Sequence, residues 1–325
     1  MLKIGTDFSG IGAPETALKR LGIPYELIFG CEIDKYARAS YNKLHPTANI
    51  IYNDITTRDF NEVPNLDLYV AGFPCQSFSV AGQRKGFDDV RGSLFYNVAS
   101  FIKHNKPKVF ILENVKGLLS HDSGRTYQTI TDLLSNNGGT LNSQLNIDVF
   151  NDGLGYHVYT KVLNTKDYGI PQNRDRIFIV GFNYWRKFNF PKKVNLMLSI
   201  KDILEDNVDQ KYYLSDKIIK GFKKHNNRHK EKGSNFIWKP KNENDLANCI
   251  RANASLCPTD NTIIEKTTKK IRRLTPLECW RLQGFNDLEF KKAQKVNSDT
   301  QLYKQAGNSI TVDVLVEIFK NIYLK

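Results

Sequence analysis

Phe8-Ser9-Gly10-Ile11-Gly12 is the stretch whose reading decides the fold. Lys3-Ile4 reads as a strand running into it, and Pro14 suits the first turn of a helix that continues to about Leu21. Strand, glycine-rich turn and helix open a β-α-β series. Tyr25-Glu26-Leu27-Ile28-Phe29 reads as the second strand, and Asp34 is placed to cap a helix ending near Leu44. Leu66-Asp67-Leu68-Tyr69-Val70 and Val109-Phe110-Ile111-Leu112 read as buried strands, with helical spacing from Leu94 to His104 between them. This rhythm predicts an α/β fold, a parallel sheet with helices on both faces and ligands at the carboxyl ends of its strands. Asn136-Asn137-Gly138-Gly139 opens a polar surface loop to about Gly155, and strands resume at Tyr156 to Leu163 and Ile177 to Phe182. Thr275-Pro276-Leu277-Glu278 is a capping box with proline at the first helical position, and an amphipathic helix runs from about Thr311 to Ile322.

A chain of 325 residues has room for roughly two domains, at about 150 residues each. Hydrophobic content of 40% with 25% charged residues excludes wholesale disorder. No apolar run approaches the roughly 18 residues of a membrane span. Met1-Leu2-Lys3-Ile4 leads straight into the motif, so no signal peptide is expected. Five cysteines without a C-x-x-C pair argue against a disulfide framework or zinc ribbon and for a reducing compartment. The formal charge is +13, and it is unevenly placed. Arg186 to Arg273 holds 21 Lys/Arg against 10 Asp/Glu, an excess of +11; the remainder holds 26 against 24. Concentration in one stretch favours a polyanionic partner over a merely solvated surface.

Gly10-x-Gly12 after a strand suits a nucleotide-type ligand, but a dinucleotide fingerprint wants a third glycine where Glu15 stands. An acid there repels phosphates, so a ligand without phosphate fits better. Glu32, at the end of the second strand, can accept from both ribose hydroxyls, and Asp54, at the end of the third, from an exocyclic amine. Ribose and adenine without pyrophosphate point to S-adenosylmethionine. The bland readings are a tight turn for Gly10-x-Gly12 and a local cap on Ile55-Thr56 for Asp54.

Gly72-Phe73-Pro74-Cys75-Gln76-Ser77 follows the fourth strand. A cysteine is by default a small buried hydrophobe, which is the reading for Cys31, Cys249, Cys257 and Cys279. Cys75 stands apart at a strand end in a polar loop that also holds Lys85 and Arg91, where positive charge favours thiolate. Glu113-Asn114-Val115 comes at the next strand end. Joined in order by Gln172-Asn173-Arg174-Asp175-Arg176, Arg273-Leu274-Thr275-Pro276-Leu277-Glu278-Cys279 and Gln305-Ala306-Gly307-Asn308-Ser309, these blocks carry a resemblance. The chain resembles the DNA cytosine-5 methyltransferases of bacteria and their phages over nearly everything except Arg186 to about Ile271.

The resemblance implies a Rossmann-like, S-adenosylmethionine-dependent methyltransferase fold with a smaller target-recognition domain. It divides the chain into a catalytic and cofactor domain (1–185), a DNA-binding recognition domain (186–271) and a segment returning to the catalytic domain (272–325). It makes Cys75 the nucleophile that adds to carbon 6 of cytosine, and Glu113, protonated or sharing a proton, the partner of N3. Arg176 corresponds to a contact with the cytosine O2, with Arg174 supporting the pocket; a surface salt-bridge set is the plain alternative. Phe8, Gly10, Ile11, Gly12, Glu32, Ile33, Asp54, Ile55, Phe73, Pro74, Leu94, Asn308, Ser309 and Ile310 correspond to the cofactor site. Asn308 and Ile310 imply that the C-terminal helix returns to pack beside the first strand. Two departures stand at the turn: the acid is Asp7, with Thr6 in its usual place, and Ala13 replaces a frequent glycine.

A base inside a duplex hides both ring faces, so the target is expected to be flipped out. The loop from Gln76 to Gly92, with Gly82, Gly86 and Gly92 as pivots, resembles the family's closing loop, although Ala81 stands where a serine is frequent. Gln76, Ser79, Arg84 and Arg91 are its expected DNA contacts, and Arg251, Asn253 and Ser255 the expected base readers of the basic segment. Lys220 to Lys230 is either a backbone-contacting face or a solvated helix. No metal is expected, because the histidines lack Cys or acid partners at ligand spacing. The expected enzyme is a monomer acting on double-stranded DNA in the cytoplasm of a prokaryotic cell, its own or a phage's host, with any cognate restriction endonuclease acting separately. Two rivals stay open: the same reaction on tRNA, and a DNA-binding protein without catalysis on the same scaffold. The long basic segment speaks against the first, and intact Cys75, Glu113 and Arg176 against the second.

Overall fold

The structure is a computed structural model and describes residues 1–47, 50–74, 94–135, 153–194, 197–234, 236–253 and 255–324. Cys75, Gln76, Ser79, Arg84, Arg91 and the loop expected from Gln76 to Gly92 lie outside the described residues, as does most of the polar stretch after Asn136. Two compact units emerge. The first comprises Met1–Leu163, Asp175–Pro191 and Leu315–Lys325; the second comprises Asn164–Arg174 and Lys192–Val314. These units do not follow the linear boundaries at 185 and 271.

The first unit is built on a seven-stranded sheet of β1 (Leu2–Asp7), β2 (Tyr25–Cys31), β3 (Ile50–Tyr52), β4 (Leu68–Ala71), β5 (Val109–Val115), β6 (His157–Asn164) and β7 (Asp175–Phe182), in the order β3-β2-β1-β4-β5-β7-β6. β1 to β5 pair in parallel, as the sequence rhythm requires. β7 runs antiparallel to β5, which the rhythm did not reveal. That pairing lengthens β5 beyond Leu112: Glu113, Asn114 and Val115 lie in the strand, opposite Phe178, Ile177 and Arg176. The order reverses at β1, which has β2 on one side and β4 on the other. Open α/β sheets bind ligands at the carboxyl ends beside such a reversal.

Among the described residues the helices of this unit are α1 (Ala13–Arg20), α2 (Lys35–Leu44), α3 (Leu94–Asn105), α4 (Arg125–Leu134) and, from Leu315 on, the C-terminal helix Val312–Tyr323. α2 starts where expected, with Asp34 accepting from the Tyr36 N–H at 2.9 Å. α3 buries Phe95, Val98, Ala99 and Ile102, the one-sided spacing of an amphipathic helix. Its Phe101 meets Phe29 of β2 and Tyr69 of β4, at ring separations of 5.6 and 4.8 Å.

One charged pair lies inside this aromatic layer. Asp7, the last residue of β1, and Arg58 have fully buried side chains and form two hydrogen bonds of 2.5 and 2.8 Å. The Tyr69 hydroxyl donates to the same carboxylate at 2.5 Å. The guanidinium carbon lies 4.3 Å from the Phe101 ring centre and 4.5 Å from that of Phe29. Burial opposes the charge on Arg58, but Asp7 outweighs it and the net shift of its pKa is upward. Burial, then Asp7, holds the Tyr69 hydroxyl far above its usual pKa, so it stays a donor.

The second unit contains α5 (Asp216–Glu231), α6 (Pro276–Arg281), α7 (Asp287–Gln294), α8 (Asp299–Asn308) and the start of α9 (Val312–Tyr323). The capping box is present at α6, with Thr275 and Glu278 as its two halves. Glu278 also takes both ends of the buried Arg272 guanidinium at 2.8 Å. Trp280 is fully buried and donates to the Leu302 carbonyl at 3.0 Å. Residues 164–174 thread through this unit. Gln172, fully buried, donates to the Leu282 carbonyl at 2.7 Å and accepts from the Ile250 N–H at 3.0 Å.

Asp7→Asn keeps the side-chain shape and strands the Arg58 charge. Urea unfolding should show a loss of about 3–5 kcal/mol, and Asp7→Asn with Arg58→Met a clearly smaller one, because no buried charge is then left alone. Equal stability of wild type and Asp7→Asn would refute the role given to the pair.

Candidate active site

The turn after β1 bends through three left-handed residues, Phe8, Gly10 and Gly12, with φ of 53°, 56° and 81°. Such a φ is uncommon at a residue with a side chain, and Phe8 adopts it at a strand end where ligands bind. Gly12 has a second constraint: a Cβ there would stand 2.1 Å from Nε2 of His45. Ser9 clips the turn to β2, its N–H donating to the Cys31 carbonyl at 2.9 Å and its Oγ accepting from the Cys31 N–H at 2.8 Å.

Glu32 follows β2 and is partly exposed. The Gly10 N–H donates to its Oε2 and the Asp34 N–H to its Oε1, both at 2.9 Å. A carboxylate has about four lone-pair sites, so each oxygen retains capacity for a ligand hydroxyl. The same bond occupies the Gly10 N–H, and the Gly12 N–H is turned to the Ser9 carbonyl. Both glycine amides of the turn are therefore engaged. Ile33, next along, is 73% exposed, and Ile11 is buried.

At the end of β3, Asp54 accepts from the Thr56 N–H and hydroxyl at 2.9 and 2.8 Å, both on Oδ1. These bonds hold its pKa below the usual carboxylate range, so it is an anion. The local cap is thus real, and it engages Oδ1 alone. Phe8, Ile55, Phe73 and Leu94 meet in one apolar cluster.

Glu15 has a different position from the one its place in the motif suggested. It is fully buried behind the turn, and its Oε1 accepts from the Thr6 hydroxyl at 2.9 Å and the Tyr41 hydroxyl at 2.5 Å. Thr6 and Asp7 point to opposite faces of β1, as neighbours on a strand must. The motif's shifted acid is explained by this division: Thr6 serves Glu15, and Asp7 serves Arg58.

The ends of β4 and β5 are tied together. Asn114, buried, donates from Nδ2 to the Phe73 carbonyl at 3.0 Å and accepts the Val115 N–H on Oδ1 at 2.8 Å. The Phe73 ring lies 5.3 Å from that of Phe95. The chain leaves this clamp through Pro74. Arg176 of β7 and Glu113 of β5 sit diagonally on one sheet face, and Nε to Oε1 is 3.1 Å. Both side chains are largely buried. Arg176 also donates to the Asp175 carbonyl at 2.8 Å.

Arg174 belongs to the second unit and is 2% exposed. Its Nη1 donates to the Ile250 carbonyl at 3.2 Å and to Cys249 Sγ at 3.3 Å; its Nη2 donates to the Gly307 and Ser309 carbonyls at 3.1 and 2.9 Å. It braces the loop around Ile250 and the C-terminal end of α8. Gly307 packs directly against that loop, since a Cβ there would fall 2.2 Å from the Ala252 nitrogen. Asn308 is exposed, and the Ser309 hydroxyl donates to the Ile310 carbonyl at 2.9 Å. Of the three expected base readers, Arg251 is ion-paired with Asp260 at 2.7 Å. Asn253 accepts the Ser255 N–H at 2.9 Å.

Arg58, Tyr41 and His45 shape this site and were not singled out by the sequence. Among the described residues no group of three or more His, Cys, Asp or Glu is placed to hold a metal ion. No helix among them is long and apolar enough to cross a membrane.

Comparison with known proteins adds the family. The model for C-5 cytosine-specific DNA methylases matches residues 3–324. The type II methyltransferase M.NlaX of Neisseria lactamica is 38% identical over 317 residues, covering 97% of this chain and 94% of that protein. The type II methyltransferase M.HpaII of Haemophilus parainfluenzae is 37% identical over 339 residues, covering 98% and 88%. The solved structure of the S. pombe Dnmt2 methyltransferase superposes with a TM-score of 0.75 at 19% identity, covering 98% of this chain and 97% of that one. At that identity the likeness speaks for the fold, which is that of the methyltransferases. With a match running from the first strand to the last helix, the chain belongs to the C-5 cytosine-specific DNA methylase family and is a DNA (cytosine-5) methyltransferase.

Proposed function

We propose that the enzyme methylates carbon 5 of cytosine within a specific double-stranded DNA sequence, using S-adenosylmethionine and a covalent bond from Cys75 to carbon 6 of a flipped-out base. The observation that carries this reading is the Asn114 clamp on Phe73, which ties the root of the Cys75 loop to β5, the strand whose Glu113 meets Arg176 of β7.

The turn suits the cofactor on chemical grounds. Its two glycine amides are engaged, so neither is left for phosphate, while Glu32 is held by two backbone N–H groups with lone pairs left for a ribose diol. Asp54 supplies a further acceptor, and Phe8, Ile11, Ile33 and Ile55 supply apolar surface. In this reading Gly10, Gly12, Phe73, Pro74 and Leu94 complete the first unit's cofactor residues; Asn308, Ser309 and Ile310 are assigned to the cofactor by the resemblance alone. When bound, S-adenosylmethionine supplies a methyl carbon on a positively charged sulfur, which leaves as a neutral thioether when that carbon is attacked.

Carbon 5 of cytosine is a weak nucleophile until a thiolate adds to carbon 6. Cys75 forms that S–C6 bond, and the ring electrons move toward N3, where Glu113 delivers a proton. Arg176 holds Glu113 in place and donates to the O2 side of the ring. Carbon 5 of the resulting enamine takes the methyl group. Loss of the C5 proton to water then re-forms the C5–C6 double bond, Cys75 departs as thiolate, and the N3 proton returns to Glu113. Reaching both ring faces requires extrusion of the base, which the Gln76 to Gly92 loop would cover.

The relatives are named type II methyltransferases, and by that likeness we place this enzyme in a restriction–modification setting. It works as a monomer in a prokaryotic cytoplasm, and a cognate endonuclease, where one accompanies it, acts separately.

Two measurements test this reading. DNA from cells expressing the wild type should show bisulfite-resistant cytosines at one sequence, and Cys75→Ser should show none. Purified wild type with cofactor should form a covalent adduct on duplex DNA carrying 5-fluorocytosine; no adduct there, or transfer to tRNA alone, would refute it. Glu32→Gln turns an acceptor oxygen into a donor amide facing two N–H groups. Its Kd for S-adenosylmethionine should rise about 10- to 100-fold, the worth of one or two charge-assisted hydrogen bonds, with DNA affinity unchanged.

A further inference from the structure

We infer that α5 is a phosphate-binding face, holding the sugar-phosphate backbone of duplex DNA without reading its sequence. This rests on the proposal that duplex DNA is the substrate. Its sixteen residues make a helix of about 24 Å. One side fixes it to its own unit. Asn226 accepts from the Trp238 N–H at 2.6 Å and donates to the Trp238 carbonyl at 2.7 Å, and Phe222 meets the Trp238 ring at 5.3 Å. Trp238 is buried and donates from Nε1 to Thr262 at 2.9 Å. His225 reaches the Phe236 carbonyl at 2.9 Å, and His229 reaches Ser234 at 3.2 Å. The orientation of the helix is therefore set by side chains on a single stripe.

The opposite side is cationic, with Lys217, Lys220, Lys224 and Arg228 on it and Lys223 and Lys230 on its flank. All six are exposed, and among the described residues none has an ion-pair partner within 4.0 Å. The only acids of α5, Asp216 and Glu231, stand at its two ends. Lys220, Lys224 and Arg228 follow one another at i, i+4 spacing. Like charges so placed destabilise a helix by a few tenths of a kcal/mol per pair, whereas an ordinary solvated face alternates signs. The helix dipole excuses cations in the last turn, but Lys217 and Lys220 lie toward the first. A polyanion relieves this repulsion. Lys217 to Arg228 spans about 16 Å along the axis, roughly five base steps of 3.4 Å. Arg251, the charged member of the expected base readers, is already paired with Asp260, so phosphate binding and base reading fall to different elements.

The test uses the full-length enzyme and the triple variant Lys220→Gln/Lys224→Gln/Arg228→Gln, since glutamine is about as good a helix former. Kd is measured by fluorescence anisotropy from 50 to 200 mM salt on a duplex containing the methylated sequence and on a scrambled duplex. The slope of log K against log salt should fall by about 0.9 for each phosphate no longer neutralised, near 2.7 for three. Over that range the wild type should then lose roughly 40-fold more affinity than the variant, on both duplexes alike. Asn227→Lys, which adds a cation to the same exposed side, should steepen the slope by about 0.9 and guards against a misfolded triple variant. Unchanged slopes in both variants would overturn the inference. So would an effect confined to the methylated sequence, which means base reading, or one seen on tRNA and not on duplex DNA. A wild type that methylates no DNA would instead sink the proposed function, and the slopes would still decide what α5 binds.

Discussion

Asp7 ends the central strand with its carboxylate inside the protein, and Arg58 is the cation that lets it stay there. Neither charge reaches water, and both are enclosed by Phe29, Phe101 and Tyr69. The pair joins β1 to β4 through Tyr69 and to the segment that follows β3 through Arg58. Those are the elements whose ends carry the turn, Asp54 and the root of the Cys75 loop. A buried pair is a poor source of net stability, because two desolvated charges could be replaced by apolar packing of similar volume. What it supplies is position: two fork-to-fork hydrogen bonds and the Tyr69 hydroxyl fix how the pair sits in the aromatic layer.

That constraint acts on the turn through the pleat of β1. Once Asp7 points into the α3 side, Thr6 must point to the other, where Glu15 and Tyr41 receive it. The turn is thus gripped from behind by buried hydroxyls and a carboxylate, and from the front by Glu32. It needs no charge compensation from a bound phosphate. A sequence that fails the dinucleotide fingerprint at residue 15 therefore puts no charge on the surface of the turn: the acid sits beneath the backbone, buried with Thr6 and Tyr41.

Much of the fold was readable because it rests on local signals. Asp34 before a helical run, Pro14 at a helix start, buried apolar runs and a capping box at Thr275 each act within a few residues, and each has its expected structure. The antiparallel β7 was not readable, since direction depends on a partner 60 or so residues away (Val115 faces Arg176) and the strand's own composition carries no sign of it. Arg58 was invisible for a similar reason. It lies in the polar run Thr56-Thr57-Arg58-Asp59, and only the rings brought over it by β2, β4 and α3 make it a core residue. Of the site, Glu113 and Arg176 were legible as motif members, but their meeting at 3.1 Å follows from the strand register, which sequence does not state.

Within the second unit, rigidity and charge are kept apart. Around Ile250 the backbone is fixed by Gln172 and Arg174, which also hold Leu282, Gly307 and Ser309, so this loop is placed by buried hydrogen bonds with few ways to rearrange. Discrimination between bases requires such placement, because a bidentate contact gains its one to three kcal/mol or so only when donor and acceptor are held in register. Phosphate attraction has no such requirement; it tolerates long side chains and acts over about a Debye length. A helix fastened along one stripe, with flexible lysines on the other, meets that looser demand. The excess charge of residues 186–273 can therefore vary in detail without disturbing the loop that the buried hydrogen bonds of Gln172 and Arg174 hold still.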